Sequence, residues 1–136
     1  GEISATCRRR TTLRVSGSIE FSVVEQSPER VVGVMPIQPG MLNPFGVVHA
    51  GAMLWFADVC ATVLAFGSAD VAVGGSGFPL AINLNAAFLG NQKEGQFTAT
   101  SVFVKKGRNL SVVRTTVAGD GGRIVADVTT SHVPAK

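Results

Sequence analysis

At 136 residues, with 46% hydrophobic and only 15% charged side chains, the chain is sized for one domain and is too apolar for a disordered or linker segment. The net charge of +3 gathers partly in Arg8, Arg9, Arg10 and Arg14, and with no aromatic residue among them this run reads as a solvated tail rather than a nucleic-acid surface. No apolar run makes a convincing membrane span, and Cys7 and Cys60 form neither a metal pattern nor a disulfide framework, so the composition fits a cytoplasmic protein that buries surplus apolar surface against a second copy.

Residues 1–17 read as a flexible lead-in and residues 18–136 as a single domain. Two stretches rich in β-branched residues, SIEFSVVEQ from Ser18 and ERVVGVMPIQP from Glu29, are separated by the breaker Ser27-Pro28 and predict a hairpin. A loop punctuated by Pro39, Gly40, Asn43, Pro44 and Gly46 leads to a helix over Ala50 to Phe66, stopped by Gly67. That helix is apolar on nearly every side, which predicts burial all round and requires something to wrap it. The following VAVGGSG matches neither GxGxxG nor a P-loop and reads as a plain loop. Four more strands follow, FPLAINLNAAFL from Phe78, GQFTATSVFVKK from Gly95, RNLSVVRTTVAG from Arg108 and GRIVADVTTSHV from Gly122. Short turns join the last three, as antiparallel neighbours require. Phe97, Ala99, Ser101 and Phe103 share one face and Thr98, Thr100, Val102 and Val104 the other, so the sheet should meet the helix on one side and another subunit or sheet on the other.

From Asn43 to Gly67 the only charged side chain after His49 is Asp58. A carboxylate on an apolar helix costs several kcal/mol unless it is hydrated, paired or protonated. Either Asp58 does chemistry, or it caps a loop or pairs with an arginine of the late strands. It closes a pattern, N-x-x-G-x-x-H-x-G with a carboxylate seven residues on, made of Asn43, Gly46, His49, Gly51 and Asp58. Together with the order of elements, this set resembles the acyl-CoA thioesterases of the hotdog fold, the phenylacetate-pathway and 4-hydroxybenzoyl-CoA types, from about Ser18 to Val133 and including a Gly107-Arg108 turn. The chain departs from that family at Ala50, inside a usual His-Gly-Gly, at Ala81, where relatives often carry Ser or Thr, and at Gly90-Asn91, where Arg-Pro is common.

The resemblance implies an α+β hotdog domain, a long central helix wrapped by a curved antiparallel sheet, that hydrolyses an acyl-CoA with an aryl or medium-chain acyl group. No cofactor is expected, since CoA is part of the substrate. Gly51 lies in the first helical turn, whose free amides at the positive dipole end can hold a developing oxyanion; the alternative is a glycine that eases the turn into the helix. Asp58 is about 10 Å further along the axis, while reacting atoms must come within about 3 to 3.5 Å of each other. A two-fold dimer resolves this if Gly51 of one subunit faces Asp58 of the other, and the family implies the same interfacial sites, with further pairing into a homotetramer.

Asp58 then acts as general base or as nucleophile. Thr62, one turn on, either hydrogen-bonds it or bonds back to its own helix. His49 positions or polarises the carbonyl, caps the helix, or, least favoured with His132 as the other histidine, binds a metal; no metal is expected. Asn43 orients water or thioester, or forms a turn. Lys105, Lys106 and Arg108 are candidates for the CoA phosphates, or a solvated hairpin end. Met53, Trp55 and Phe56 read as core or dimer contacts rather than an acyl pocket. The rival readings are a hotdog 3-hydroxyacyl-thioester dehydratase or hydratase, and a non-catalytic acyl-CoA-binding dimer.

Overall fold

The computed structural model describes residues 12–67 and 77–135; Cys7, Arg8 to Arg10 and all of VAVGGSG but Gly77 lie outside them. The described elements are β1 (Ser22–Gln26), β2 (Arg30–Pro36), α1 (Ala50–Phe66), β3 (Pro79–Phe88), β4 (Gln96–Lys106), β5 (Ser111–Ala118) and β6 (Ile124–Pro134), with short 3-10 turns at Pro39–Met41 and Asp120–Gly122. Among the described residues the strands form one antiparallel sheet in the order β1-β2-β4-β5-β6-β3. The hairpin of β1 and β2 and the meander of β4, β5 and β6 follow the sequence reading, and so do both ends of α1.

The first two strands are shorter than their apolar runs. Before β1, the N–H and C=O of Glu20 bond the side chain of Gln38, at 2.9 and 2.8 Å, and so leave the ladder. β2 stops at Pro36, which has no N–H to donate.

The alternation seen in β4 sets the core: Phe97, Ala99 and Ser101 are buried, facing Met53, Phe56, Ala57, Cys60, Ala61 and Leu64 of α1 together with Met35, Val113, Val117, Val125 and Val128. Gly33 in β2 lets the helix approach, since a Cβ there would lie 2.7 Å from Cys60 Sγ. The opposite face is rich in threonine and carries a bidentate pair, Arg114 to Asp127 at 3.0 and 2.7 Å.

The helix is not buried all round. Gly51 and Trp55 are exposed, and Leu54, Asp58, Val59, Thr62 and Val63 only half-buried. The reason lies at the sheet edge. In β3 every residue from Leu80 to Phe88 is exposed on both faces. Its register places Leu84, Ala86 and Phe88 opposite Thr130, Val128 and Ala126, on the core side of the sheet, yet nothing among the described residues covers them. No helix among the described residues is long and apolar enough to cross a membrane.

Candidate active site

The loop ahead of α1 is tied from several directions. Asn43 Oδ1 accepts the N–H groups of Phe45 and Val47 at 2.9 and 3.2 Å, and Gly46 takes the positive φ of 81° that the turn needs. The side chain of Asn91 then grips both backbone groups of Val48: its Oδ1 accepts the Val48 N–H at 3.1 Å and its Nδ2 donates to the Val48 carbonyl at 2.9 Å. Arg123 holds the Asn91 carbonyl in turn, at 2.9 Å.

His49 follows as N-cap, its N–H bonded to the Met41 carbonyl at 2.9 Å, its side chain exposed and making no capping bond. The amides of Ala52 and Met53 both donate to the His49 carbonyl. The amides of Ala50 and Gly51 have no backbone acceptor among the described residues, and they point outward from the positive end of the helix. Gly51 is exposed, and a Cβ added there would meet nothing within 4 Å. The tight turn therefore belongs to Gly46, and neither turn nor packing within the chain asks for glycine at position 51.

Asp58 opens onto a cleft of about 610 Å³ that it shares with Thr62, Val63, Phe66 and Pro79. Among the described residues the ion pairs are Arg30 with Glu25 and Arg114 with Asp127, and none of them includes Asp58. Thr62 sits one turn on along the same stripe, though the two side chains do not hydrogen-bond. Gly51 and Asp58 are seven residues apart on one straight helix, hence about 10 Å apart along its axis, and no single thioester carbonyl can touch both within one chain.

The basic group is split. Lys106 borders a second hollow of about 340 Å³ that shares Gln26, Val63, Phe66 and Gly67 with the first, and its Nζ lies 5.4 Å from the Phe103 ring centre. Arg108 lines a separate hollow of about 120 Å³ beside His132, and Lys105 lines neither. Met53 and Phe56 are core, whereas Trp55 lies at the exposed margin with its ring edge-on to Phe21.

Three residues that the sequence reading passed over bear on the site. Asn91 acts on a segment 43 positions away, which no local signal reveals. Phe66 stands two turns beyond Asp58, at a regular helical spacing that an apolar helix does not single out. His132 is buried with Nε2 2.8 Å from Thr130 Oγ1 and Nδ1 without a hydrogen bond. Burial holds the pKa of His132 below the ordinary histidine value, against the opposing pull of the Pro79 carbonyl and of the Asp58 charge. The remaining candidate nucleophile, Cys60, is silenced, because burial pushes its thiol up to about 12. No group of three or more metal-ligating side chains occurs among the described residues.

Comparison with known proteins identifies the family and the fold. The family model described as the thioesterase superfamily matches residues 45–126, which contain Gly51, Asp58 and Thr62. ComA2 of Bacillus subtilis (strain 168), provisionally named an esterase, is 28% identical over 108 residues, 79% of this chain and 83% of that one. A thioesterase of Staphylococcus aureus superposes with a TM-score of 0.79 at 22% identity, over 87% of this chain and 95% of its own. A hypothetical thioesterase of Streptococcus pneumoniae, solved with coenzyme A, gives 0.74 at 16% identity, over 85% and 86% of the two chains. At these identities the solved structures establish the hotdog fold for the helix-and-sheet arrangement described above.

Proposed function

The chain belongs to the thioesterase superfamily, whose chemistry is thioester hydrolysis, and from that premise we propose that it cleaves an acyl-CoA, with an aryl or medium-chain acyl group, to the free acid and CoA. The observation that carries this reading is Asp58, a carboxylate on an apolar helix that has no ion-pair partner among the described residues and opens onto the larger cleft.

The carbonyl oxygen docks against the free first-turn amide of Gly51, where the helix dipole and a donor that needs no reorganisation stabilise the negative charge that develops during attack. The attacking group comes from Asp58 of the partner, either a water from which it takes a proton or the carboxylate itself, which forms a mixed anhydride that water then opens. Thr62 holds the water or the carboxylate, and His49, exposed at the N-cap, orients the thioester. Asn43 contributes through the shape of the loop, because its oxygen is committed to Phe45 and Val47. Lys106, with Lys105 and Arg108 further off, forms a cationic rim that meets the CoA phosphates from outside the cleft that holds Asp58.

The edge strand β3 supports the two-fold dimer. It leaves a row of backbone donors and acceptors open, with Leu80, Ile82, Leu84 and Phe88 exposed alongside, an arrangement that stable proteins rarely leave to water. Pairing β3 with its symmetry mate sets two helices side by side and covers the half-buried side of each. Two interfacial sites per dimer follow, and we carry the reading on to a homotetramer in the cytoplasm, where a free buried Cys60 stays reduced.

The test is thiol release from a panel of aryl- and acyl-CoAs by the wild type and Asp58→Asn. The wild type should turn over, and the variant should keep its fold while losing about 10²- to 10⁴-fold in kcat. Equal activity would refute the role of Asp58, and loss of water from a 3-hydroxyacyl-CoA without thiol release would make the protein a dehydratase instead.

A further inference from the structure

The cleft that holds Asp58 has a direction and a far end. Asp58, Thr62 and Phe66 stand at i, i+4 and i+8 of α1 and so line one stripe of its surface. At about 1.5 Å per residue this stripe runs about 12 Å from the carboxylate to the phenyl ring. Asp58 and Thr62 make its polar end; beyond them the walls are Val59, Val63 and Leu80. Its far end is lined by an aromatic pair, Phe66 and Phe78, whose rings meet edge to face with centroids 5.8 Å apart. On the other side of Phe66 begins the second hollow, the one that reaches Lys106.

Resting on the thioesterase reading above, we infer that this stripe is the acyl subsite, that it selects straight medium-chain acyl groups over aryl ones, and that Phe66 sets the length it accepts. With bonds of about 1.5 Å folded into a zigzag, an extended chain of about eight to ten carbons spans the distance from a carbonyl beside Asp58 to the Phe66 ring. A benzoyl ring ends within about one helical turn, or about 5.4 Å, and leaves Val63 and Phe66 without the contacts that a tightly filled apolar wall provides. The pantetheine arm of CoA fits the stripe less well. It carries two amides, while beyond Thr62 the only hydrogen-bonding side chain among the described residues of the walls is Gln26, and amides left unpaired against apolar walls are costly.

The experiment measures kcat/KM for straight acyl-CoAs from acetyl to palmitoyl, together with benzoyl-CoA, on the wild type, Phe66→Ala and Val63→Phe. In the wild type each added methylene should raise kcat/KM by about fourfold up to octanoyl or decanoyl, then fall off, with benzoyl-CoA below octanoyl-CoA. Phe66→Ala joins the two hollows and should raise the ratio of palmitoyl to octanoyl turnover by about tenfold or more, worth two or so methylenes of new contact. Val63→Phe shortens the stripe and should lower the ratio of decanoyl to butyryl turnover by a similar factor. These opposed shifts cannot come from poor folding, which scales all substrates alike. A flat length profile, a preference for benzoyl-CoA, or a Phe66→Ala effect equal at every length, the mark of a pantetheine groove, would overturn the inference while leaving a thioesterase. Absence of thiol release from every substrate would overturn the thioesterase reading and this one with it.

Discussion

A glycine inside a helix costs about 0.5 to 1 kcal/mol relative to alanine, so one that no neighbour demands is informative. Gly51 is such a residue: it has no positive φ to adopt and no atom within 4 Å of where its Cβ would stand. On the proposed reading the space and the free amide beside it serve a thioester carbonyl. Gly51→Ala should therefore raise the thermal midpoint, by an amount equivalent to about 0.5 to 1 kcal/mol, and lower kcat/KM on the same preparation. A variant that gains stability and keeps full activity would show that no substrate atom approaches Gly51. At this scale Asp58 was legible in the sequence, since one charge in a run of apolar side chains stands out by composition alone. Phe66 was not, although its spacing from Asp58 is regular, because a helix apolar on nearly every side offers no contrast by which one ring can be distinguished from the rest.

Between elements, the Asn91 side chain behaves like a short strand, offering a donor and an acceptor to the two backbone groups of Val48 and so fixing the peptide that leads into His49 and the first helical turn. Removing it in Asn91→Ala should cost about 1 to 3 kcal/mol in stability through three lost hydrogen bonds, the two to Val48 and the one its Oδ1 accepts from the Gln92 N–H. The same change should lower kcat by about tenfold with KM nearly unchanged, because the oxyanion donors then wander from their required position. Asn91→Asp should not restore activity, since a carboxylate accepts from the Val48 N–H but has nothing to donate to the Val48 carbonyl. Stability loss with unaltered kcat would reduce Asn91 to a structural tie. The strands and the helix were readable because period-two alternation, β-branched runs and Gly67 are local signals. The start of β1 and the grip of Asn91 on Val48 were not, since each depends on a side chain, Gln38 or Asn91, that reaches its partner across 18 or 43 positions. The helix was expected to be enclosed and is half open, because a hydrophobic pattern records that a face will be covered and not whether the same chain covers it.

For the whole molecule, the half-open helix and the uncovered edge strand make one statement. Leu84, Ala86 and Phe88 lie on the core side of β3 with no helix over them among the described residues, while Trp55, Asp58, Val59 and Thr62 stand on the incompletely buried side of α1. In the proposed dimer, a second copy related by a two-fold axis along β3 would fill both needs, continue the sheet, and bring the Gly51 end of one helix toward the Asp58 of the other. The geometry within one chain leaves about 10 Å between those groups, so on the proposed reading the dimer would join two half-sites into one catalyst. This claim is open to one direct measurement. Asp58→Asn removes the acid, and Gly51→Pro removes the amide donor at a first-turn position where proline is tolerated; each pure variant should be inactive. Unfolded together and refolded as a mixture, the two should form hybrid dimers in which one site carries both lesions and the other carries none, so the hybrid should regain about half of the wild-type thiol release per dimer. A mixture that forms hybrid dimers and stays inactive would contradict the account, because it would mean that each subunit supplies both groups to its own site.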